Sequence, residues 1–396
     1  MLNIRQYLSE ARNASEEKLT HLEHAEDHPI NAGAVGFEHA KNTLDAVHSA
    51  LKGEKSKASI TTKYDGSPSI VFGHHPETGK FFVASKSAFN KNPKINYTAD
   101  DIEKNHGHAP GLVNKLKAAL RHLPKVAPKT GVFQGDIMHS GGKGKGNPEG
   151  DVVTQDGKAH FTPNTITYST KDKEETDRAA GSKLGVAIHT RYDGPSFDRM
   201  KATYNAGHKG FGEHKDVHLM DVHPDKPTID PKLSSEYEKH MGEAEKLHKQ
   251  LVRTNGYNAL ADHTDHLKTY INKTVRTGEK PSVKGYAAHV AEIHQKAADK
   301  YKTAAKKQEV ESKHQELQNH ISANQHHFEA ALQLHHHLQA AKDQLVHALS
   351  AKSQYGHHIG GQAVKPEGHV AVINNRPTKL VDRAEFSRAN FAKSQQ

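Results

Sequence analysis

Short alternations of polar and apolar residues predict β-strands in residues 58–190 and again near the end of the chain. Residues 68–73 and 80–86 are β-rich runs joined by HHPETG, a plausible hairpin loop. The other predicted strands are ASITTK, TGVFQGDIMHS, HFTPNTITYST, KLGVAIHTRYDG, EGHVAVINN and TKLVDRAEF. Within this region DDIEKNHGHAPGLVNKLKAALRHL predicts one helix, because its leucines recur at helical spacing.

Helical periodicity dominates two other parts of the chain. In residues 1–57, the run GFEHAKNTLDAVHSALKG has its apolar residues near helical spacing, with Gly53 as a stop signal. Residues 228–352 show no strand signal and predict a helical hairpin or small bundle. Its apolar stripe has heptad-like spacing and comprises Leu317, Ile321, Phe328, Leu332, Leu338, Leu345 and Leu349.

Together these patterns predict an α+β protein in four segments. We expect an N-terminal helical segment (1–57), a β-rich core (58–227), a large all-helical insertion (228–352) and closing strands (353–396) that return to the sheets begun near residue 58. The insertion can be a scaffold whose stripe is only core. Alternatively, its basic outer face guides a nucleic acid.

The composition narrows the choice of partners. Only 34% of residues are hydrophobic, and the mean hydropathy of -0.83 indicates much exposed helix surface. Lys and Arg outnumber Asp and Glu by 55 to 46, which favours a polyanionic partner, although a basic protein without a nucleic-acid role stays equally open. The chain has no cysteine, which excludes disulfides, thiolate zinc sites and cysteine nucleophiles. Its 34 histidines lie mostly in helical segments, and no carboxylate-and-histidine spacing closes a metal shell.

No segment of the sequence has the character of a membrane anchor. The start, MLNIRQYLSEARNASEEKL, lacks the apolar core of a signal peptide, and no run approaches membrane-spanning length. We therefore expect a cytoplasmic monomer without a membrane partner.

The stretch SITTKYDGSPSIVFG places Lys63 at the lip of a tight turn between two strands. Such a lysine can be solvated in an ordinary hairpin. It can also be a nucleophile, if a second cation or partial burial lowers its pKa and frees its lone pair. Asp65 can accept hydrogen bonds, and Gly66 would let the backbone approach a ligand closely.

Other charged residues at predicted strand ends suit metal-assisted phosphoryl transfer. Asp136 and Glu367 each lie beside a glycine, in FQGDI and EGHVAV, and are the candidate Mg²⁺ ligands. The cations Lys86, Lys379 and Arg383 would stabilise phosphate oxygens.

The order of these motifs resembles that of the ATP-dependent polynucleotide (DNA/RNA) ligases and the mRNA-capping enzymes of the covalent nucleotidyltransferase superfamily. The resemblance covers about half of the chain and implies an antiparallel-sheet adenylation core. It makes Lys63 in KYDG the nucleophile that forms a covalent lysyl-AMP. It also aligns Lys86 in ASKSAF with motif Ia, Asp136 in VFQGDI with motif III, Glu367 in EGHV with motif IV, and Lys379 in TKLVDR with motif V.

The resemblance implies further site residues, with some departures. The base-stacking aromatic of motif IIIa is either Tyr168 or His189, and motif V has Val381 where a second lysine is common. Backbone groups near Thr62 would recognise adenine. The remaining expected contacts are Glu23, His24 and Asp27 with the nucleotide (a capped helix end being the alternative), and Lys86, Lys143, Lys145 and Arg383 with nucleic acid.

The expected activity is ATP-dependent joining of 5′-phosphate and 3′-hydroxyl ends of DNA or RNA, through lysyl-AMP and an adenylylated 5′ end, with Mg²⁺ or Mn²⁺. Only 17 residues follow Lys379, so the sequence resembles the small, phage-type ligases that lack an OB domain. A phage origin would place it in the host cytoplasm. The alternatives are a capping-type guanylyltransferase and a catalytically inactive, basic helical nucleic-acid-binding or scaffold protein.

Overall fold

Strands and helices divide the chain into two units in the computed structural model, which describes residues 22–141 and 151–383. The first unit contains residues 57–227 and 350–377. The second unit contains residues 23–56, 228–349 and, at the end of the described residues, 378–383.

The strands and helices have the following bounds. The strands are β1 (Ser59–Lys63), β2 (Ser69–His74), β3 (Phe81–Ala84), β4 (Val132–His139), β5 (Val152–Gln155), β6 (Lys158–Phe161), β7 (Thr167–Ser169), β8 (Leu184–Asp193), β9 (Lys201–Tyr204), β10 (Val217–Met220), β11 (Gly356–Ile359), β12 (Gln362–Ala363), β13 (Gly368–Ile373) and β14 (Arg376–Val381). The α-helices are α1 (His28–Leu51), α2 (Ala99–His106), α3 (Pro110–His122), α4 (Lys173–Gly181), α5 (Pro231–Arg253), α6 (Gly256–Leu260), α7 (Thr264–Thr277), α8 (Val283–Asp299), α9 (Ala304–Ala323) and α10 (Gln325–Ser350).

Antiparallel pairing dominates the three sheets. A six-stranded sheet has the order β10-β8-β4-β2-β3, with β9 also paired to β8, and only its β10–β8 pair is parallel. A five-stranded antiparallel sheet has the order β12-β11-β7-β6-β5. The third sheet has the order β1-β13-β14, and the division between the units falls within β14. The predicted α+β class with antiparallel sheets is therefore confirmed.

The six-stranded sheet is buried on both faces at β2, because Ile70, Val71 and Phe72 are apolar at successive positions. Side chains alternate between the two faces of a strand. Ile70 and Phe72 accordingly pack with Leu116 of α3 on one face, whereas Val71 packs with Phe82 on the other. This double burial makes the sheet a rigid base for the turn after β1.

Two predictions of continuous elements are wrong. Residues 99–122 form α2 and α3 in place of one helix, because Pro110 has no N–H to donate within a helix and so begins a new one. Likewise HFTPNTITYST contributes to two strands, β6 and β7, with Pro163 between them. The short strands β5, β9, β10, β11 and β12 gave no clear signal in the sequence.

The helical unit joins the N-terminal helix to the block that follows residue 228. Helix α1 breaks at Ala32 and Gly33, where Gly33 has a φ of 59°. It then packs on α5, where Phe37 stacks on His248 with ring centroids 4.0 Å apart and Tyr237 donates a hydrogen bond of 2.6 Å to Asp45. The first helix therefore belongs to the core of this unit.

The predicted apolar stripe is buried from Ile321 to Leu349, whereas Leu317 is half-buried. It runs along α9 and α10, which are separated at Asn324. Among the described residues, none of the helices combines the length and apolar character needed to cross a membrane.

A buried charged cluster lies inside the helical unit. Lys342 donates to Glu26 at 2.9 Å, and both side chains are 0% exposed. Next to them, Arg383 donates to both carboxylate oxygens of Asp27, at 2.9 and 3.1 Å. Burial and the nearby Glu26 raise the pKa of Asp343 to about 6, although its carboxylate lies 3.3 Å from the Lys342 ammonium.

Candidate active site

The lysine of KYDG lies against the glutamate of EGHV. Strands β1 and β13 pair antiparallel with Lys63 opposite Gly368, which brings Glu367 next to the turn. Lys63 Nζ donates to Glu367 Oε1, across 304 residues of chain. The lysine side chain is 29% exposed and that of the glutamate 8%, so a solvent-accessible amine is paired with a nearly buried carboxylate.

The turn itself is held by the loop between β6 and β7. Asp65 accepts hydrogen bonds from Asn164 Nδ2 at 3.0 Å and from Thr165 N at 3.2 Å. Its own amide donates to the hydroxyl of Tyr168 at 2.6 Å. The aspartate therefore fixes the conformation of the turn that presents Lys63.

The glycine of the turn allows close contact with β4. A Cβ atom on Gly66 would lie 2.4 Å from Cβ of Asp136 and 2.8 Å from Sδ of Met138. The adjacent Ser67 amide also donates to the Ile137 carbonyl at 3.0 Å. Asp136, the predicted second carboxylate, is thereby brought against the KYDG turn.

The glycine beside Asp136, Gly135, leaves no room for a ligand. A Cβ on Gly135 would lie 2.6 Å from the carbonyl oxygen of Ala187, so the backbone of β8 fills that space. The Asp136 carboxylate is 3.8 Å from Nε2 of His189. Lys86 follows the end of β3 and is half-buried, and no ion pair places it against either carboxylate within the described part of the chain.

The structure distinguishes the two candidates for the base-stacking residue. Tyr168 is fully buried, and its hydroxyl is occupied by the Asp65 amide, so its ring supports the turn. Burial also holds the pKa of Tyr168 far above its usual value. His189 keeps a side chain that is 33% exposed. The His189 ring is therefore accessible, whereas the Tyr168 ring is enclosed.

Two further residues at the turn, Tyr64 and Lys115, were not predicted from the sequence to belong to the site. The ring of Tyr64, the second residue of KYDG, is buried and packs edge-to-face against Tyr168 and Tyr355, with centroids 5.5 and 5.8 Å away. Lys115 of α3 donates to the Ser67 carbonyl at 2.7 Å, which adds a cation beside the turn. Neither residue has a distinctive local pattern, because its role depends on chain segments 48 or more residues away.

The amide of Thr62 is already engaged. It donates to the Val222 carbonyl at 2.6 Å, so this N–H is used within the fold and is not free to donate to adenine.

Five predicted site residues belong to the helical unit: Glu23, His24, Asp27, Lys379 and Arg383. The amide of Lys379 donates to the Glu23 carbonyl at 2.8 Å, and His24 forms a parallel β-bridge with Lys379. The Glu23 carboxylate lies 3.1 Å from His28, and burial lowers the pKa of His24 to about 4. Arg383, predicted to contact nucleic acid, is instead only 8% exposed and is bound to Asp27 within the cluster described above.

Asp27 itself does not cap the helix that follows. Its side chain makes no capping hydrogen bond to α1 and accepts hydrogen bonds from Arg383.

Lys143 and Lys145, which were predicted to contact nucleic acid, lie outside the described residues.

One comparison with known proteins gives a match. The model of a family of unknown function, DUF6267, matches residues 17–395. The chain belongs to this family. No protein of curated function and no solved structure matches this DUF6267 member.

Two carboxylates, those of Glu367 and Asp136, are the oxygen donors near the turn of this DUF6267 member. Mg²⁺ prefers oxygen ligands, and it is often held by one or two carboxylates together with water and phosphate oxygens. Glu367 accepts a hydrogen bond from Lys63, and the Cβ of Asp136 lies against Gly66 of the same turn. No group of three or more His, Asp or Glu side chains is arranged around a metal position in residues 22–141 and 151–383.

Replacing Gly66 with alanine is expected to destabilise the first unit by about 2 kcal/mol, since the added methyl group overpacks the contact with Asp136. Thermal and urea unfolding would measure this cost. Gly111→Ala is the matched control, because a Cβ at Gly111 meets no atom within 4 Å. Equal stability of Gly66→Ala and wild type would show that the turn does not depend on this close contact.

Proposed function

We propose that this protein is an ATP-dependent nucleotidyltransferase of the polynucleotide-ligase type. The observation that carries the proposal is the direct pairing of Lys63 with Glu367. These residues belong to the two motifs that the resemblance assigns to the nucleophile and the metal-side carboxylate. A solvated hairpin lysine would not need a nearly buried glutamate 304 residues away.

The chemistry begins at Lys63. Its amine attacks the α-phosphorus of ATP, an N–P bond forms, and the bond to the leaving pyrophosphate breaks. The ammonium must lose a proton to solvent before attack, and Glu367 positions the lysine through its hydrogen bond. Mg²⁺ held by Asp136 and Glu367 would neutralise charge on the phosphate oxygens.

The remaining steps transfer AMP and join the strands. A 5′-phosphate oxygen attacks the adenylyl phosphorus, the N–P bond breaks, and Lys63 regains its amine. A 3′-hydroxyl then attacks the 5′-phosphorus, the phosphodiester bond forms, and AMP leaves. Asp65 and Gly66 act indirectly, because they hold the turn that presents the lysine.

The test is self-labelling of the protein freed of pre-bound nucleotide. It would be incubated with α-labelled ATP or GTP and Mg²⁺, denatured and separated on a gel. We expect a denaturation-stable label from ATP, followed by joining of nicked or single-stranded substrates. A label from GTP alone would indicate capping chemistry, and no label from either nucleotide would contradict the proposal.

A further inference from the structure

The tip of one helical hairpin carries four lysines, only one of which has an acidic partner in the described part of the chain. Helices α8 and α9 lie side by side, since Gln318 donates to the Ala287 carbonyl at 2.8 Å and His294 stacks on His314 at 5.3 Å. The segment KYKTAAKK, residues 300–307, forms the turn between them and the start of α9. It contains four lysines and no acidic residue, and every residue in it is exposed.

Several exposed lysines on other helices of the same unit have acidic partners, unlike three of the four lysines at this tip. Lys239, Lys246 and Lys296 pair with glutamates three or four residues away, at 3.3, 2.6 and 2.6 Å. At the tip, Lys306 pairs with Glu309 at 2.7 Å. The other three tip lysines, in the described part of the chain, have no ion pair: Lys300, Lys302 and Lys307.

An aromatic ring lies between these charges. Tyr301 is 43% exposed, and it is the one aromatic among the large hydrophobic side chains that stay exposed in the described residues. The other tyrosines of α5, α7 and α8 are buried: Tyr237, Tyr270 and Tyr286. An exposed ring thus has two lysines as its immediate chain neighbours.

We propose that this hairpin tip, residues 300–307, binds single-stranded nucleic acid. The lysines at 300, 302 and 307 would contact successive phosphates, and Tyr301 would stack on a base. A lipid surface fits less well, because the tip carries no large aliphatic side chain to insert into a bilayer. The choice of nucleic acid as partner rests on the proposed ligase function and names the surface that would hold its substrate strand.

The test measures binding of a fluorescein-labelled, 5′-phosphorylated single-stranded 20-mer, as DNA and as RNA, by anisotropy at several salt concentrations. The full-length triple variant Lys300→Gln, Lys302→Gln, Lys307→Gln should bind at least about tenfold more weakly at moderate salt. Its log–log salt slope should fall by about 2, since each phosphate contact on a single strand contributes about 0.7. Tyr301→Ala should weaken binding about tenfold, and Tyr301→Phe should not.

The matched control is Lys239→Gln, Lys246→Gln, Lys296→Gln, which removes the same charge from exposed, ion-paired lysines of the same unit. An equal loss in both triple variants, or no oligonucleotide binding by the wild type, would overturn the proposal. Binding of the wild-type tip to phosphatidylserine vesicles in preference to the oligonucleotide would overturn it too. Self-labelling with ATP tests the ligase function separately from strand binding by the tip, because the tip variants should take up as much label as the wild type. If the wild type takes up no label from ATP, the proposed ligase function is contradicted. Binding of single strands by the hairpin tip is then judged by the anisotropy measurements alone.

Discussion

Lys63→Ala will abolish labelling of the protein by α-labelled ATP. The side chains that follow Lys63 in KYDG cannot replace it, because they are a buried tyrosine ring and an aspartate engaged by two hydrogen bonds, and the nearby Lys115 amine is bound to the Ser67 carbonyl. A residual label below about one thousandth of the wild-type level is expected, as for the loss of a covalent nucleophile. The measurement is the initial rate of label incorporation at saturating ATP.

Two further variants separate chemistry from folding. Lys63→Arg keeps a cation that can pair with Glu367, so this variant should fold normally. It should also fail to label, because the guanidinium stays protonated and has no free lone pair to attack ATP. Lys57→Ala removes an exposed lysine close to the start of β1 and should label normally. Label that persists in a stably folded Lys63→Ala variant would contradict the assigned nucleophile.

Lys342→Ala is expected to lower the free energy of unfolding of the helical unit by about 3–5 kcal/mol. The ammonium of Lys342 and the carboxylate of Glu26 are both fully buried, 2.9 Å apart. Removing the lysine leaves a buried carboxylate without its main counter-charge, which costs far more than the lost attraction in water. Urea unfolding followed by helical circular dichroism would measure the change.

Two controls test the reason for this loss. The double variant Glu26→Leu, Lys342→Met removes both charges and should recover most of the stability, because apolar side chains can replace a buried ion pair. Lys239→Ala breaks an exposed ion pair at 3.3 Å and should cost no more than about 1 kcal/mol. A double variant as unstable as Lys342→Ala would show that packing rather than charge pairing explains the effect.

Local elements were predictable where one pattern continued over several residues. The hairpin of β2 and β3 has β-rich runs on both sides of a turn-forming segment, so its antiparallel pairing followed from neighbouring residues. The apolar stripe of α9 and α10 was equally visible, since helical spacing repeats over many residues. Some short strands, such as β9, were not predicted because they contain too few alternations.

The candidate site was predictable only as a set of residue types in an order. The sequence singled out Lys63 and Glu367, and the register of β1 on β13 places them in contact. For Tyr168 the sequence suggested a ligand contact, but the structure has a buried ring that supports the turn. A tyrosine in a short strand has the same local pattern in either role.

The sequence by itself determined the class of the fold, most strands of the main sheet, the helical block and the KYDG turn. Tertiary structure alone decided that α1 packs with the helical block, that Arg383 is buried against Asp27 and that Asp136 lies against Gly66. Hydrophobic periodicity depends on residues within about one or two turns of chain, so it can be read locally. Burial of a charge depends on which distant group is available to pair with it, and only the packed chain determines that partner.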